Sequence, residues 1–357
     1  MLPVTSRPSF LVPRSALSAL SCLMIFRSPA YELSPCPVCW SSESRVVVDR
    51  EGVRDEVEAL WAFHTRRLKG ETPPEHLADR VAFSHPPPWR VVQCVECGLV
   101  YRNPRERAFE LEAMYAREAP APEVLETLFA TQQATYAAQA GRLGEVVGRS
   151  GSGVEVGSFV GGFLAAARER GWTFEGLDVN DDVNAFVRGR GFRVTTGELD
   201  DFEPSRLFDV VAIWNTFEQL ADPREGATRA RALLPPGGVL ALRVPNGAFY
   251  ARLRPTLDAE GALGSALAPI ARALLAHNNL LTFPYRHGFT VRSLSRLLAD
   301  AGFRVTRVFG DALVPIADEW TLGWAAREER ALKRAIKLAA RAGAEGAPWI
   351  EVYARAV

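Results

Sequence analysis

A glycine-rich turn separates a short apolar strand from a helix in the sequence Val154-Glu155-Val156-Gly157-Ser158-Phe159-Val160-Gly161-Gly162. Glycines in such a turn let the backbone approach a ligand closely, and the following helix offers unpaired N–H groups at its start. Asp178 ends the next predicted strand, where a carboxylate can accept hydrogen bonds from ribose hydroxyls. The pattern predicts a site for an adenosine-containing cofactor; a solvated turn carboxylate is the alternative for Asp178.

Strands and helices alternate on both sides of this turn. The strands are nearly continuous apolar runs, as expected where helices cover both faces of a parallel sheet. The sequence therefore predicts an α/β fold with a Rossmann-like, doubly wound, mostly parallel seven-stranded sheet. The predicted strands are Val154–Val156, Thr173–Asp178, Phe192–Thr196, Phe208–Trp214, Val239–Val244, Phe303–Phe309 and Trp349–Ala354.

Four of the five cysteines form two Cys-x-x-Cys pairs, Cys36 with Cys39 and Cys94 with Cys97. This spacing places two thiolates on one tight turn, and two such turns complete a closed, tetrahedral zinc site of structural type. In a chain of 357 residues the pattern favours a metal over disulfides and implies a reducing compartment. Redox dithiols and unpaired core cysteines are the alternatives; Cys22 lies outside the pattern.

The chain length predicts two domains. They are unequal in size, because the alternation of strands and helices covers most of the chain after residue 149. No stretch approaches the ~20 apolar residues of a membrane span, and we expect a cytoplasmic protein. The N-terminal segment lacks acidic residues and is interpreted as a disordered leader or a misassigned start with Met24 as initiator; cleavable targeting is the alternative. The predicted divisions are 1–31 (leader), 32–104 (zinc ribbon with a helical insertion), 105–148 (helical connector) and 149–357 (cofactor-binding domain), the last containing an insertion at 246–289.

The large domain resembles class I S-adenosylmethionine-dependent methyltransferases over roughly residues 150–310. The resemblance begins with the acidic residue and glycines of the turn. It continues through the motifs Gly176-Leu177-Asp178-Val179, Phe208-Asp209-Val210-Val211, Phe217-Glu218-Gln219-Leu220-Ala221-Asp222-Pro223, Leu233-Leu234-Pro235-Pro236-Gly237-Gly238 and Ala301-Gly302-Phe303. The segment Cys94–Pro104 is similar to the end of the zinc ribbon that some bacterial members carry.

The resemblance implies a role for each matching residue. The turn would bend around the methionine part of S-adenosylmethionine, and Asp178 would hold the ribose. Glu155 would orient the turn or bind the amino group, Glu198 and Leu199 would border the adenine, and Trp214 with Asn215 would face the methyl donor. The implied cofactor-binding residues are Glu155, Gly157, Ser158, Gly161, Asp178, Glu198, Leu199, Trp214 and Asn215.

Two positions depart from the family pattern. Phe159 stands where the middle glycine of the turn is usual, so the approach of the turn to the cofactor must differ. Gln219 stands where many relatives have histidine, which removes one candidate base and leaves Glu218 beside it.

Methyl transfer needs a base only if the acceptor must lose a proton, and the cofactor carries the chemistry. The candidate catalytic residues are His287, Glu218 and Tyr285. A loop histidine suits general-base work; the alternative for His287 is a helix-entry residue that makes a backbone hydrogen bond. The insertion 246–289 is interpreted as a substrate lid, with a packing excursion as the alternative. Its candidate pocket residues are Phe249, Tyr250, Asn278, Asn279, Phe283 and Tyr285.

The charge balance bears on the acceptor. The 42 basic residues equal the 42 acidic residues, giving a net charge of zero, whereas a nucleic-acid binder usually carries a basic excess. We therefore expect methyl transfer to a small molecule, with no nucleic-acid or membrane partner and with structural Zn²⁺. The alternatives are an RNA or protein methyltransferase that docks through the ribbon, a nicotinamide-dependent enzyme, and a cofactor-binding protein without catalysis.

Overall fold

The computed structural model describes residues 31–70, 88–107, 120–313 and 320–357. The predicted leader, with Cys22 and Met24, lies outside these residues apart from its last position. Part of the predicted connector, residues 108–119, also lies outside them.

The N-terminal part of the chain is built on a small antiparallel sheet. The strand Arg90–Cys94 pairs with Ser44–Val48 on one side and with Val100–Asn103 on the other, while Tyr31–Glu32 pairs with Arg105–Glu106. Helix α1 (Arg50–Thr65) is capped by Asp49, whose side chain accepts a hydrogen bond from the N–H of Gly52 at 2.8 Å. We call this part the knuckle module; it comprises β1 (Tyr31–Glu32), β2 (Ser44–Val48), α1 (Arg50–Thr65), β3 (Arg90–Cys94), β4 (Val100–Asn103) and β5 (Arg105–Glu106).

A long helix, α2 (Pro122–Val147), leads from the knuckle module into the large domain. Strands and helices then alternate as the sequence predicts, and each begins or ends within a few residues of the expected position. These elements are β6 (Ser152–Val156), α3 (Gly162–Arg168), β7 (Thr173–Asp178), α4 (Asp181–Arg188), β8 (Val194–Thr196), β9 (Val210–Trp214), α5 (Pro223–Ala232) and β10 (Val239–Pro245).

The remaining elements complete the large sheet and connect it to the knuckle module. They are α6 (Gly247–Leu253), α7 (Gly261–His277), β11 (His287–Gly288), α8 (Val291–Asp300), β12 (Phe303–Asp311), α9 (Gly323–Ala340) and β13 (Trp349–Ala356). The strand order of the large sheet is β12-β13-β10-β9-β6-β7-β8. Strands β6 to β10 are mutually parallel, and β13 runs antiparallel to both neighbours. The predicted seven-stranded, mostly parallel, doubly wound sheet is confirmed.

Apolar side chains cover both faces of this sheet. Alternate residues of β9 point to opposite sides: Val211 and Ile213 join one cluster, whereas Val210, Ala212 and Trp214 join the other. The second cluster packs beneath α2 and α3. The carboxyl ends of β6, β7 and β9 therefore meet at one edge, with α2 lying over the helix that follows the turn.

The insertion at 246–289 packs against the knuckle module. Strand β11 adds to the small sheet as an antiparallel partner of β4, with His287 opposite Tyr101 and Gly288 opposite Val100. Tyr250, Phe283 and Tyr285 are buried in an apolar cluster that also contains residues of α1, β3 and β4. The arrangement corresponds to the packing alternative for these aromatic residues, since they are enclosed by the knuckle module rather than open to solvent.

Candidate functional site

The glycine turn holds a left-handed backbone at three positions. Gly157 has φ 74° and Gly161 has φ 77°, a region that side-chain-bearing residues rarely adopt. A Cβ on Gly157 would come within 2.1 Å of Thr216 Oγ1, so the turn lies directly against the segment after β9. Phe159 adopts φ 42° without being glycine, and its ring packs beside a small apolar cluster that includes Val183.

Asp178 at the end of β7 is tied to the glycine turn. Its Oδ2 accepts a hydrogen bond from the N–H of Phe159 at 2.9 Å, and its Oδ1 accepts one from the N–H of Asn180 at 3.0 Å. Burial raises the pKa of this carboxyl above its usual value, while these N–H groups oppose the rise. A carboxylate has about four lone-pair sites, so Asp178 can still accept hydrogen bonds from a ligand.

Glu155 and Ser158 are buried in the turn with polar atoms that lack partners. Glu155 is 2% exposed, and within the described residues its Oε2 has no hydrogen-bond partner. Burial, together with the charge of Asp178, raises the pKa of Glu155 well above its usual value. The Oγ of Ser158 also has no partner among the described residues. Buried polar atoms of this kind are costly unless a ligand satisfies them, so this end of β6 suits a bound group with hydrogen-bond donors.

The other residues implied in cofactor binding divide between the core and the surface. Trp214 is 2% exposed and its ring packs 5.2 Å from that of Phe163, beneath the turn. Asn215 follows it at the end of β9 with φ 56°. Leu199 is buried in the main core, whereas Glu198 lines a surface cavity of about 400 Å³ beside β7 and β8.

Two of the three catalytic candidates lie together. Glu218 belongs to a short 3-10 helix, Phe217–Gln219, just after β9. It is fully buried, neither carboxyl oxygen has a partner in another described residue, and burial raises its pKa to about 8. His287 on β11 forms a hydrogen bond with the backbone of Glu218, and its Nδ1 has no partner among the described residues.

The charge state of His287 follows from its surroundings. Burial lowers its pKa well below the usual value, and the positive charges of Arg286 and Arg105 lower it further. The ring is therefore neutral at physiological pH. Because the backbone carbonyl of Glu218 accepts a hydrogen from the ring, and Nδ1 has no partner, Nε2 carries that hydrogen and Nδ1 is the basic nitrogen.

Tyr285 lies in different surroundings. Its hydroxyl accepts a hydrogen bond from Asn279 Nδ2 at 3.1 Å, and its ring packs 5.4 Å from that of Trp349. The backbone of Asn278 contacts the same tryptophan, since its carbonyl accepts a hydrogen bond from Trp349 Nε1 at 3.0 Å. The structure brings Glu218 and His287 together and places Tyr285 in an apolar cluster.

The four knuckle cysteines converge on one point. Cys36 Sγ lies 3.5 Å from Cys97 Sγ, and Cys39 Sγ lies 3.5 Å from Cys94 Sγ. All four sulfur atoms lie within 4.8 Å of one another. A tetrahedral zinc ion with ~2.3 Å bonds separates its sulfur ligands by about 3.8 Å, so four thiolates in this arrangement fit Zn²⁺.

Comparison with known proteins establishes the family. A family model described as "Methyltransferase domain" matches residues 129–308. The chain belongs to this methyltransferase family. Membership agrees with the S-adenosylmethionine-dependent methyltransferase that the sequence predicts and favours it over the nicotinamide-dependent alternative.

Proteins similar to this chain are named as methyltransferases of several kinds. A curated relative, ubiquinone biosynthesis O-methyltransferase of Parvibaculum lavamentivorans, is 28% identical over 142 residues, which cover 39% of this chain and 51% of the relative. The methyltransferase chain thus spans about half the length of the curated relative it matches. The glycopeptide N-methyltransferase MtfA has a TM-score of 0.40 at 16% identity, covering 62% of this chain and 96% of that one. An S-adenosylmethionine-dependent methyltransferase from Mesorhizobium loti has a TM-score of 0.38 at 18% identity, covering 58% and 91%.

The cysteine turns of the methyltransferase dock on the large domain beside the candidate site. Thr290 Oγ1 donates a hydrogen bond to the carbonyl of Cys97 at 3.4 Å, and Arg224 Nη1 donates one to the carbonyl of Val38 at 2.6 Å. Strand β4, which follows the second turn, pairs with the strand that carries His287. The knuckle module therefore supports the backbone of a candidate catalytic residue.

Two residues near the site have no signal in the sequence. Tyr136 lies on α2, which the sequence predicts only as a connector, and its hydroxyl contacts Asn215. Arg243 lies within the apolar strand β10 and contacts the same asparagine. Only the packing of α2 on α3 and the pairing of β9 with β10 bring them together.

Within the described residues, no helix is both long enough and apolar enough to cross a membrane.

Proposed function

We propose that this methyltransferase transfers a methyl group from S-adenosylmethionine to a hydroxyl oxygen of a small molecule, with His287 as the general base. The observation that carries this proposal is the neutral, buried His287 ring, whose Nδ1 is left free by the hydrogen bond to Glu218. A hydroxyl acceptor must lose a proton as it is methylated, and Nδ1 can take that proton.

The cofactor-binding residues follow from the chemistry of the turn. Asp178 accepts from the ribose hydroxyls. Glu155 accepts from the positively charged amino group of the methionine part, whose charge favours the ionised form of this buried carboxyl and satisfies its oxygen. Gly157 and Gly161 give the turn its shape, and Ser158 adds a hydroxyl. Glu198, Leu199, Trp214 and Asn215 form the adenine border and the wall near the methyl donor. When bound, S-adenosylmethionine supplies a methyl group on a positively charged sulfur.

His287 and Glu218 divide the acid–base work at the acceptor. The acceptor oxygen would give its proton to His287 Nδ1 as it takes the methyl group, while the sulfur–methyl bond of the cofactor would break to leave S-adenosylhomocysteine. Glu218 is protonated at neutral pH, since its pKa is raised to about 8, and a protonated carboxyl donates rather than accepts a hydrogen. We assign Glu218 the role of orienting the acceptor, and Tyr285 no direct contact with it.

The net charge of the chain and its similarity to a curated relative support a small molecule with a hydroxyl group as the acceptor. The net charge of zero gives no general attraction to nucleic acid. The curated relative is named as an O-methyltransferase, in agreement with a hydroxyl acceptor. An RNA acceptor that docks on the knuckle module is the other outcome that the choice of acceptors distinguishes.

The knuckle module has a structural role in this proposal. Cys36, Cys39, Cys94 and Cys97 bind one Zn²⁺, which holds the two turns together and leaves no open position for catalysis. We divide the chain into a leader (1–31), the zinc ribbon (32–104), a helical connector (105–148) and the methyltransferase domain (149–357). Four reduced thiols agree with a cytoplasmic location.

The test uses the full chain and separates cofactor from acceptor. Thermal stabilisation is measured with S-adenosylmethionine, S-adenosylhomocysteine and NAD; we expect a shift with the first two only. Formation of S-adenosylhomocysteine is then followed with a catechol, with histamine and with total RNA as methyl acceptors. Turnover with the catechol supports the proposal, whereas turnover with histamine or RNA alone overturns the hydroxyl acceptor.

A further inference from the structure

A chain of polar contacts runs beneath the glycine turn from β10 to α2. Arg243 Nη1 donates a hydrogen bond to Asn215 Oδ1 at 2.7 Å. Asn215 Nδ2 in turn donates to the hydroxyl oxygen of Tyr136 at 3.3 Å. Arg243 and Tyr136 are almost fully buried, so water does not compete freely for these groups.

The direction of both hydrogen bonds is fixed by Arg243. A guanidinium has only donors, so the amide oxygen of Asn215 must face it and the amide nitrogen must face Tyr136. The hydroxyl oxygen of Tyr136 therefore accepts, and its hydrogen remains to be donated elsewhere. No described residue accepts that hydrogen. Burial and the nearby carboxyl of Glu155 raise the pKa of Tyr136, which keeps the hydrogen on the oxygen.

Each of the three guanidinium nitrogen atoms of Arg243 donates a hydrogen bond to the protein. Its Nε donates to Asp311 Oδ2 at 3.0 Å, and its Nη2 donates to the carbonyl of Ala312 at 3.1 Å. Together with the bond to Asn215, these bonds hold the guanidinium in place. Through Asn215, this fixed guanidinium sets the orientation of the amide that faces Tyr136.

The glycine turn offers few free donors of its own. The N–H groups of Gly157 and Ser158 both donate to the carbonyl of Leu177, at 2.8 and 3.3 Å. The N–H of Phe159 donates to Asp178. The methionine part of S-adenosylmethionine carries a carboxylate, which needs hydrogen-bond donors. Asp178 already accepts from two N–H groups, and Glu155 can bind the positively charged amino group of the cofactor only when ionised, so neither then offers a donor to that carboxylate.

Tyr136 lies in the right part of the molecule to supply a donor. Its ring packs 5.9 Å from that of Phe163, in the first turn of α3, immediately after the glycine turn. We propose that Tyr136 binds the cofactor by donating its hydroxyl hydrogen to the methionine carboxylate of S-adenosylmethionine, and that Asn215 and Arg243 are positioning residues that fix the direction of this bond. The inference rests on the cofactor of the proposed function and is independent of the acceptor.

Calorimetric binding of two ligands by the full chain tests the proposal. S-adenosylhomocysteine carries the carboxylate, whereas 5′-methylthioadenosine lacks the whole amino-acid group. A hydrogen bond to a charged group contributes enough that Tyr136→Phe should weaken S-adenosylhomocysteine by about tenfold or more. The affinity for methylthioadenosine should stay within about twofold of the wild type, because the deleted hydroxyl has no partner in that ligand.

Asn215→Asp tests the direction of the hydrogen bond without removing Tyr136. The new carboxylate keeps its contact with Arg243 and accepts the hydroxyl hydrogen of Tyr136. We expect it to weaken S-adenosylhomocysteine at least as much as Tyr136→Phe does. Tyr250→Phe is the matched control, since this buried tyrosine lies in the cluster with Phe283, and it should change neither affinity.

The outcomes are separable. Unchanged binding of S-adenosylhomocysteine by Tyr136→Phe overturns the inference, and so does an equal loss for both ligands, which would indicate a distorted site. A wild-type chain that binds neither ligand refutes the cofactor itself, which is a failure of the proposed function and not of Tyr136 alone.

Discussion

We call the glycine turn, together with the carboxyl ends of β6, β7 and β9, the cofactor face. The knuckle module and the cofactor face differ in whether their buried polar atoms have partners within the protein. In the knuckle module the four cysteine sulfurs face one another, and the carbonyl of Cys97 accepts a hydrogen bond from Thr290. At the cofactor face, Glu155 and Glu218 have carboxyl oxygens with no partner in another described residue. The sulfur atoms of the knuckle module converge on one point inside the protein, whereas the cofactor face has buried carboxyl groups that a bound ligand could contact.

The difference separates a structural site from a binding site on physical grounds. A set of ligands that all meet at one centre is satisfied by a single ion, and the gain appears as folding stability. Unpaired buried carboxyls reduce the stability of the protein alone, and they persist where a bound ligand compensates for them. The four predictions below probe this contrast, from the largest expected effect to the smallest.

Loss of one knuckle thiol should have the largest effect. We expect Cys97→Ser to remove zinc from the purified chain and to expose the knuckle module to proteolysis, because three thiolates no longer close the site. Metal analysis and limited proteolysis are the measurements. Cys22→Ser is the control and should retain the zinc. A Cys97→Ser chain with wild-type zinc content and protease resistance would contradict the metal site.

The knuckle turns also show what the sequence can predict. Cys36 to Cys39 and Cys94 to Cys97 are local spacings that specify their own geometry, and so is the run from Glu155 to Gly161. The alternation of strands and helices is equally local, and the seven-stranded sheet follows from it.

Contacts between distant segments could not be read from the sequence. Strand β11 has two residues, too short for a periodic pattern, yet it joins the knuckle sheet. The meeting of Tyr136 with Asn215 depends on how α2 packs on the sheet. The burial of Tyr285 against Trp349 likewise depends on the last strand.

Removal of the proposed base should have the next largest effect. His287→Gln can still donate a hydrogen bond to the carbonyl of Glu218 from its amide nitrogen, but it lacks the basic Nδ1. We expect kcat to fall by about 10²-fold or more, with unchanged affinity for S-adenosylhomocysteine. The pKa of His287 is lowered well below its usual value, so wild-type activity should be flat near neutral pH and decline only in acid.

The pH profile distinguishes His287 from Glu218 as base. In His287→Gln the acid decline should disappear along with most of the rate. Glu218→Gln should keep at least a tenth of the wild-type rate at neutral pH, because the amide resembles the protonated carboxyl. If Glu218→Gln instead abolishes turnover while His287→Gln retains it, Glu218 is the base and His287 is not.

The buried carboxyl of Glu218 should also appear in the stability of the protein. Its pKa is raised to about 8 from 4.5 by burial, so between these values the folded chain holds a proton that the unfolded chain has released. Its contribution to stability is therefore lost as the pH rises through this range. We expect Glu218→Gln to gain Tm relative to the wild type by about 5 °C at pH 8 and by little at pH 5. A Tm difference that does not change with pH would contradict a buried, protonated Glu218.

The smallest effect should come from Tyr285, which belongs with the packed insertion rather than the cofactor face. Its hydroxyl contacts Asn279 Nδ2 at 3.1 Å, and its ring lies among apolar side chains. Tyr285→Phe should lower the free energy of unfolding by about 1 kcal/mol, the usual value of a single hydrogen bond, and leave kcat within about twofold. Denaturant unfolding and steady-state kinetics with the same acceptor give the two numbers. A large loss of kcat at unchanged stability would place Tyr285 at the reacting atoms. The binding region would then extend beyond His287 into the insertion, which packs against the knuckle module.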